Sequence, residues 1–343
     1  MSLSELLSEY ISVPQARHIY DSTRKNFILL SIAAFVATFK IDAQFGRFSR
    51  GDGPMYVNAK IAWMIMEIFS PICCTLSFLA APLSMPVLTP TSQLPLYPGQ
   101  KVLLGLFLVH YGNRAIISPL RTPSRSKAHI SVPFASILFN VVNGSLMGTY
   151  LNSPQARIWL AGKEKEWWWW AAITLWAAGF VGNIAHDEIL FNLRRKTKGQ
   201  SDKKNDDAKP GQPKQQGEHY AIPYGLLYKY ITFPNYFCEW LEWLGFAIAA
   251  SPVPISLSTL LHMSSPAAIA NFPNLLVRLP SILRDFIQTP PMFFMGRFTP
   301  PWIFLLNEVL VMLPRAYRGH LWYKEKFGDA YPKERKIVVP GLL

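Results

Sequence analysis

The chain has 343 residues, half of them apolar, 14% aromatic and only 16% charged, with a net charge of +13. Charge so far below the roughly 25% of soluble domains excludes an ordinary soluble globule and points to a polytopic membrane protein. The basic residues fall in short runs between apolar stretches, which excludes a nucleic-acid-binding domain and suits loops facing anionic headgroups.

In chain order, residues 1–23 carry Glu5, Glu9 and Arg17 without an apolar core, so no cleavable signal peptide is expected. The first span is expected around 26–39, and 40–60 is a turn-rich loop. The second span, 61–83, holds Glu67 and, one turn later, Pro71, which frees a backbone carbonyl. Residues 82–99 are proline-rich without Lys or Arg and belong on the non-cytosolic side. The third span, 101–120, carries His110, Tyr111, Asn113 and Arg114, too many polar groups for a lipid-facing surface. The loop with Arg121, Arg125, Lys127 and His129 is then cytosolic. The fourth span, 130–151, holds Asn140 and Asn143, with Gly144, Ser145 and Gly148 suited to close helix contact.

Four consecutive tryptophans at 167–170 read as an interfacial belt at the start of the fifth span, which runs to about 191 and places Asn183 and Asp187 at i, i+4, with Arg194 beyond. Residues 196–218 form a low-complexity cytosolic linker expected to be disordered. The stretch 220–246 turns at Pro223, Gly225 and Pro234, then enters the sixth span, 236–260, with Asn235, Glu239 and Glu242 on one helix face. The insertion 263–301 holds many prolines and is expected to lie on the membrane. A seventh span, 302–313, leads into Arg315, His320 and Tyr323 and a basic, cytosolic C-terminus. The fold class is thus all-α, a single integral membrane domain over 1–343 of about seven transmembrane helices.

Ionisable groups in membrane helices are retained for a pathway, a ligand or an ion pair. A transporter lacks support from any inverted repeat. A structural bundle explains one or two ion pairs, but not arginines at the cytosolic ends beside acids and asparagines. An enzyme holding an anionic cofactor uses them all: Arg for phosphates, Asn and Asp for ribose or amide, Glu with Tyr for proton chemistry. No G-x-G-x-x-G follows a strand and no Walker loop or H-E-x-x-H occurs, so a nucleotide must be cradled among helices. Cys73, Cys74 and Cys238 show neither disulfide nor metal-ligand spacing, and no metal is expected.

The motifs AWMIMEIFSP at 62–71, LLGLFLVHYGNR at 103–114, NIAHDEILFNLRR at 183–195, YAIPYGLLYKYITFPNYFCEWLEWLGF at 220–246 and RAYRGHLWYKEKFGDAYPKERKIVVP at 315–340 occur in the order in which the chain resembles the steroid 5α-reductase family. The resemblance implies a multi-pass endoplasmic-reticulum enzyme that uses NADPH to reduce the 4,5 double bond of a 3-oxo-4-ene steroid. It implies that Glu67 and Tyr111 bind the 3-keto oxygen. It carries the cofactor role to Arg125, Asn183, Asp187, Arg194, Tyr220, Asn235, Glu239, Arg315, His320, Tyr323 and Arg335, to which Arg114 is added as a phosphate ligand. Glu242 is read as structural. Met66 stands where the family usually has Gln, and 196–218 and 263–301 exceed its core, so a polyprenal or enoyl lipid remains an alternative substrate. A fold similar to isoprenylcysteine methyltransferases, using S-adenosylmethionine, is a second alternative; against it, no Arg-His pair precedes Pro234, and Glu67 and Tyr111 would have no task.

Overall fold

The computed structural model describes residues 3–49, 53–84, 96–123, 127–206, 220–256, 258–259, 262, 265, 270–294 and 298–343. These residues are almost entirely helical. After α1 (Leu3–Tyr10), Ser12 caps α2 (Val13–Thr38), accepting from the Gln15 amide while the Gln15 side chain accepts from the Ser12 amide, and Pro14 presets the first turn. The helix is longer than the expected first span, and its buried face, Tyr20, Arg24, Phe27, Ile28 and Ser31, repeats at helical spacing.

Asn58 caps α3 (Ala59–Ala80), which packs along α6 (Ser131–Leu151). Gly144 and Gly148 make this contact possible, because a Cβ on either would run into the backbone carbonyl of Ser70 or Cys74. Between these helices come α4 (Pro98–Gly112), a π-helical turn Asn113–Ile117 and the short α5 (Ser118–Arg121). Two-residue strands, β1 (Tyr56–Val57) and β2 (Ala128–His129), pair antiparallel and close the loops at that end.

The short α7 (Pro154–Leu160) leads to α8 (Trp167–Asp206), which packs on α9 (Pro234–Ala250). Here Gly179 lies against the Glu242 backbone, and a side chain in its place would push α9, with its acids, away. Residues 196–206 of the expected linker continue α8, while 207–219 lie outside the described residues. The sixth span also ends early: Pro252 and Pro254 stop α9 at Ala250 rather than near 260. Part of the 263–301 insertion is helical, α10 (Phe272–Gln288), and it is tied to α2 by Lys25, whose Nζ donates to the Ile287 and Thr289 carbonyls at 2.6 and 2.7 Å. The long α11 (Pro300–Phe327) closes the bundle against α2 and α9.

By length and composition, two helices among the described residues, Ala59–Ala80 and Ser131–Leu151, are apolar enough to cross a membrane. The tryptophan run is not uniformly interfacial: Trp169 is fully buried and donates to the Ala249 carbonyl at 3.1 Å, whereas Trp167 and Trp170 are exposed. One of four consecutive helical residues faces inward, and Trp169 falls on that side. The main core joins Phe107, Tyr111, Trp169, Trp243, Phe246 and Phe304. All three cysteines are free thiols.

Candidate functional site

The α4 helix passes into its π turn just beyond Tyr111, and π turns recur where a helix re-aims side chains at a site. The result is a polar chain across four elements. Arg114 places Nε 3.3 Å from Glu67 Oε1 on α3 and Nη1 2.8 Å from Glu239 Oε1 on α9. Asn183 of α8 donates to Glu239 Oε2 at 3.2 Å and to the Asn235 carbonyl at 3.1 Å, and the Asn235 amide donates to Asp187 at 3.1 Å. Glu67 and Glu239 are buried, yet Arg114, deep in the bundle and under the Trp63 ring, leaves 26% of its side chain uncovered.

Tyr111 is buried in the main core. Asn143 donates to its hydroxyl at 3.2 Å, and the hydroxyl donates to Asn140 Oδ1 at 3.4 Å. The charges of Glu67, Glu308 and Arg114 act on the phenol, so these groups lie in its neighbourhood. Next to it, His110 Nδ1 meets Glu242 Oε1 at 2.7 Å, so Glu242, with no exposure, is half of a buried pair and holds His110 over Trp243.

A second cluster lies at the ends of α8, α9 and α11. The tail pairs with the loop before α9: the Thr232 and Phe233 amides donate to the Lys336 and Ile337 carbonyls, which fixes Arg335 against Pro223, whose carbonyl accepts from Nη2 at 2.9 Å. Arg335 is buried with Nε and Nη1 unpartnered, and Arg47 Nη1 is likewise buried without a partner. These two guanidiniums flank a tyrosine stack: Arg47 lies over Tyr323, Tyr323 stacks on Tyr331 and Arg335 lies over Tyr331. Burial, then Asp187 and Tyr323, hold the Tyr228 phenol well above its ordinary value, while Arg47 and Arg194 pull it the other way, so both arginines approach the same ring. His320 Nδ1 is 2.6 Å from Thr232 Oγ1, and burial with nearby Lys324 pushes its imidazole down to about 4. Tyr220 packs edge-on to Trp322, and Arg315 lies over Phe45.

The structure thus joins Glu67, Arg114, Asn183, Asp187, Asn235 and Glu239 in one network, with Tyr111 bonded separately to Asn140 and Asn143, and it groups Arg194, His320, Tyr323 and Arg335 in the second. Tyr220 and Arg315 border the latter. Arg125 lies outside the described residues. Arg114, read as a phosphate ligand, sits between the carboxyls of Glu67 and Glu239. Glu242, read as structural, enters the inner network through His110. Sequence reasoning missed Glu308, although an acid within an apolar helix is the signal that exposed Glu67. It also missed Arg47, whose loop gives no periodicity to read.

A sequence profile of the family described as 3-oxo-5-alpha-steroid 4-dehydrogenase matches residues 126–270 and 276–343. The chain is 31% identical over 340 residues to uncharacterized protein C9.08c of Schizosaccharomyces pombe, covering 94% of this chain and 99% of the relative. It is 28% identical to 3-oxo-5-alpha-steroid 4-dehydrogenase 1 of Mus musculus, covering 92% and 93% of the two chains. It is also 25% identical to steroid 5-alpha-reductase DET2 of Gossypium hirsutum, covering 92% and 93%.

Proposed function

The chain belongs to the 3-oxo-5-alpha-steroid 4-dehydrogenase family, and on that premise we propose that it is an NADPH-dependent reductase of the 4,5 double bond of a 3-oxo-4-ene steroid. The observation that carries this reading is the chain of contacts from Glu67 through Arg114, Glu239, Asn183 and Asn235 to Asp187, with the Tyr111 phenol in the field of Glu67 and Arg114. It connects a place for a carbonyl to a place for a nucleotide.

The residues fit the cofactor. Buried guanidinium donors without acceptors on Arg335 and Arg47, with Arg194 nearby, are what phosphates would satisfy. Asn183, Asp187, Asn235 and Glu239 offer amide and carboxyl groups for ribose and the nicotinamide amide. Bound there, NADPH supplies hydride. The protein's own contribution is to polarise the enone. Asn143 donates to the Tyr111 hydroxyl, which strengthens that hydroxyl as a donor, and its long bond to Asn140 is readily exchanged for a substrate keto oxygen. Glu67 Oε1 is held by Arg114, and its other oxygen donates to the same keto group when it carries the proton in the substrate complex. Stabilising the enolate oxygen in this way is worth about 3–4 kcal/mol per donor.

The enzyme spans the endoplasmic-reticulum membrane about seven times, with the C-terminus in the cytosol, where the arginine cluster meets soluble cofactor. The test is to add NADPH to purified protein in detergent and then a panel of 3-oxo-4-ene steroids, polyprenals and enoyl thioesters. Quenching of NADPH fluorescence on binding and oxidation with the steroids alone support the assignment. S-adenosylmethionine binding with no response to NADPH reverses it.

A further inference from the structure

Besides Asp187, which accepts from Asn235, the inner network holds four carboxyls, on Glu67, Glu239, Glu242 and Glu308, beside one guanidinium and one imidazole. Three of the four are committed: Glu67 and Glu239 to Arg114, Glu242 to His110. Among the described residues, no hydrogen bond or ion pair engages Glu308, although Glu239, Arg114, Glu67 and Glu242 are the charges that act on it. Its place follows from α11. Phe304, one turn earlier on the same face, meets Trp243 at 4.5 Å between ring centroids, and Trp243 is 6.5 Å from Tyr111. Glu308 is therefore delivered towards α9 and Tyr111. The residue is half-buried, so its carboxyl is not sealed in packed protein. Beside it, Asn307 is fully buried with both amide atoms unpartnered, so this turn of α11 carries polar capacity that packing does not use.

We propose that Glu308 is a further catalytic residue, the acid that protonates the carbon next to the substrate carbonyl. The inference rests on the enone-reduction reading above. One guanidinium cannot neutralise four carboxylates in apolar surroundings, so carboxyls here retain protons, and the uncommitted one is free to give its proton up. The β carbon gains the hydride supplied by NADPH, and the double-bond pair moves to form an enolate held by Tyr111 and Glu67. The Glu308 O–H bond then breaks as the α C–H bond forms, and the ketone returns. Water reprotonates Glu308, so the net reaction consumes one hydride and one proton.

The test uses the full chain in detergent, a 3-oxo-4-ene steroid and NADPH, in water and in D2O. Glu308→Gln is expected to lower kcat by about 10²–10⁴-fold while NADPH quenching and KM stay near wild type. In D2O the wild type should place deuterium on a single face of the α carbon. Glu308→Gln should scramble it, because water then delivers from either side, a readout that a merely structural role would not move. A Glu308→Gln protein with wild-type kcat and single-face deuterium overturns the proposal. Should that variant fail to bind NADPH, Glu308→Asp decides: retained turnover with single-face delivery supports the acid role, and scrambled delivery overturns it. A wild type inactive on every enone removes the reductase reading and this proposal with it, whereas an active wild type with an equally active Glu308→Gln removes this proposal alone.

Discussion

Replacing Arg114 by methionine tests whether one cation holds the inner network together. Arg114 lies 2.8 Å from Glu239 and 3.3 Å from Glu67, whose side chains are 3% and 7% exposed. At an effective dielectric of about 20 these contacts are worth about 5–6 kcal/mol each in gross Coulomb energy. Most of that offsets the desolvation of three charges, and the guanidinium is itself partly uncovered. What remains on breaking a buried pair is a loss of about 3–5 kcal/mol, since two carboxylates are left without a cation. The variant should therefore unfold on the order of 5–10 °C lower in a detergent thermal melt followed by intrinsic tryptophan fluorescence. Adding Glu239→Gln should restore part of the loss, because one stranded charge is gone. An Arg114→Met protein that melts with the wild type, or a double variant whose loss is the simple sum, would refute the reasoning.

Gly148→Val drives a side chain into the Cys74 carbonyl and should part α3 from α6, which moves Glu67 away from Tyr111; loss of expression, or a fall in both melting temperature and turnover, is the expected outcome, and an unchanged protein contradicts the packing described. Arg335→Met removes two unsatisfied buried donors from the second cluster and is expected to weaken NADPH binding about 10-fold or more, measured by fluorescence titration, with a shallower dependence on salt. His320 titrates near 4 in the folded protein and near 6.5 unfolded, so its contribution to stability is complete above about 6.5 and lost as pH falls through about 4. Melting temperature should decline across that window, and His320→Asn should decline less.

Much of this site was legible because ionisable groups in apolar helices have few reasons to exist. Glu67, Arg114, Asn183, Asp187, Asn235 and Glu239 were all singled out by that rule, and the i, i+4 spacings of Asn183 with Asp187 and of Asn235 with Glu239 already placed each pair on one face. What spacing cannot give is the pairing between helices. Nothing in the order of residues says that Arg114 lies between two carboxyls, or that Glu242 reaches His110 on α4. The π turn after Tyr111 is likewise invisible to a 3.6-residue periodicity. Trp169 shows the same limit: four identical side chains carry no signal about which one faces the core. The end of α9 was mistaken for a different reason, because apolarity continues past Ala250 while Pro252 and Pro254 stop the helix there.

The most direct measurement of the central claim, one chamber holding a dinucleotide beside a lipid enone, is transfer of label from NADPH deuterated at the nicotinamide C4 to a 3-oxo-4-ene steroid. The account predicts a saturated product with one deuterium on the carbon β to the carbonyl, formed by the wild type and abolished by Glu67→Gln with Tyr111→Phe while NADPH still binds. A product without that deuterium, or label transfer that survives both substitutions, would contradict it.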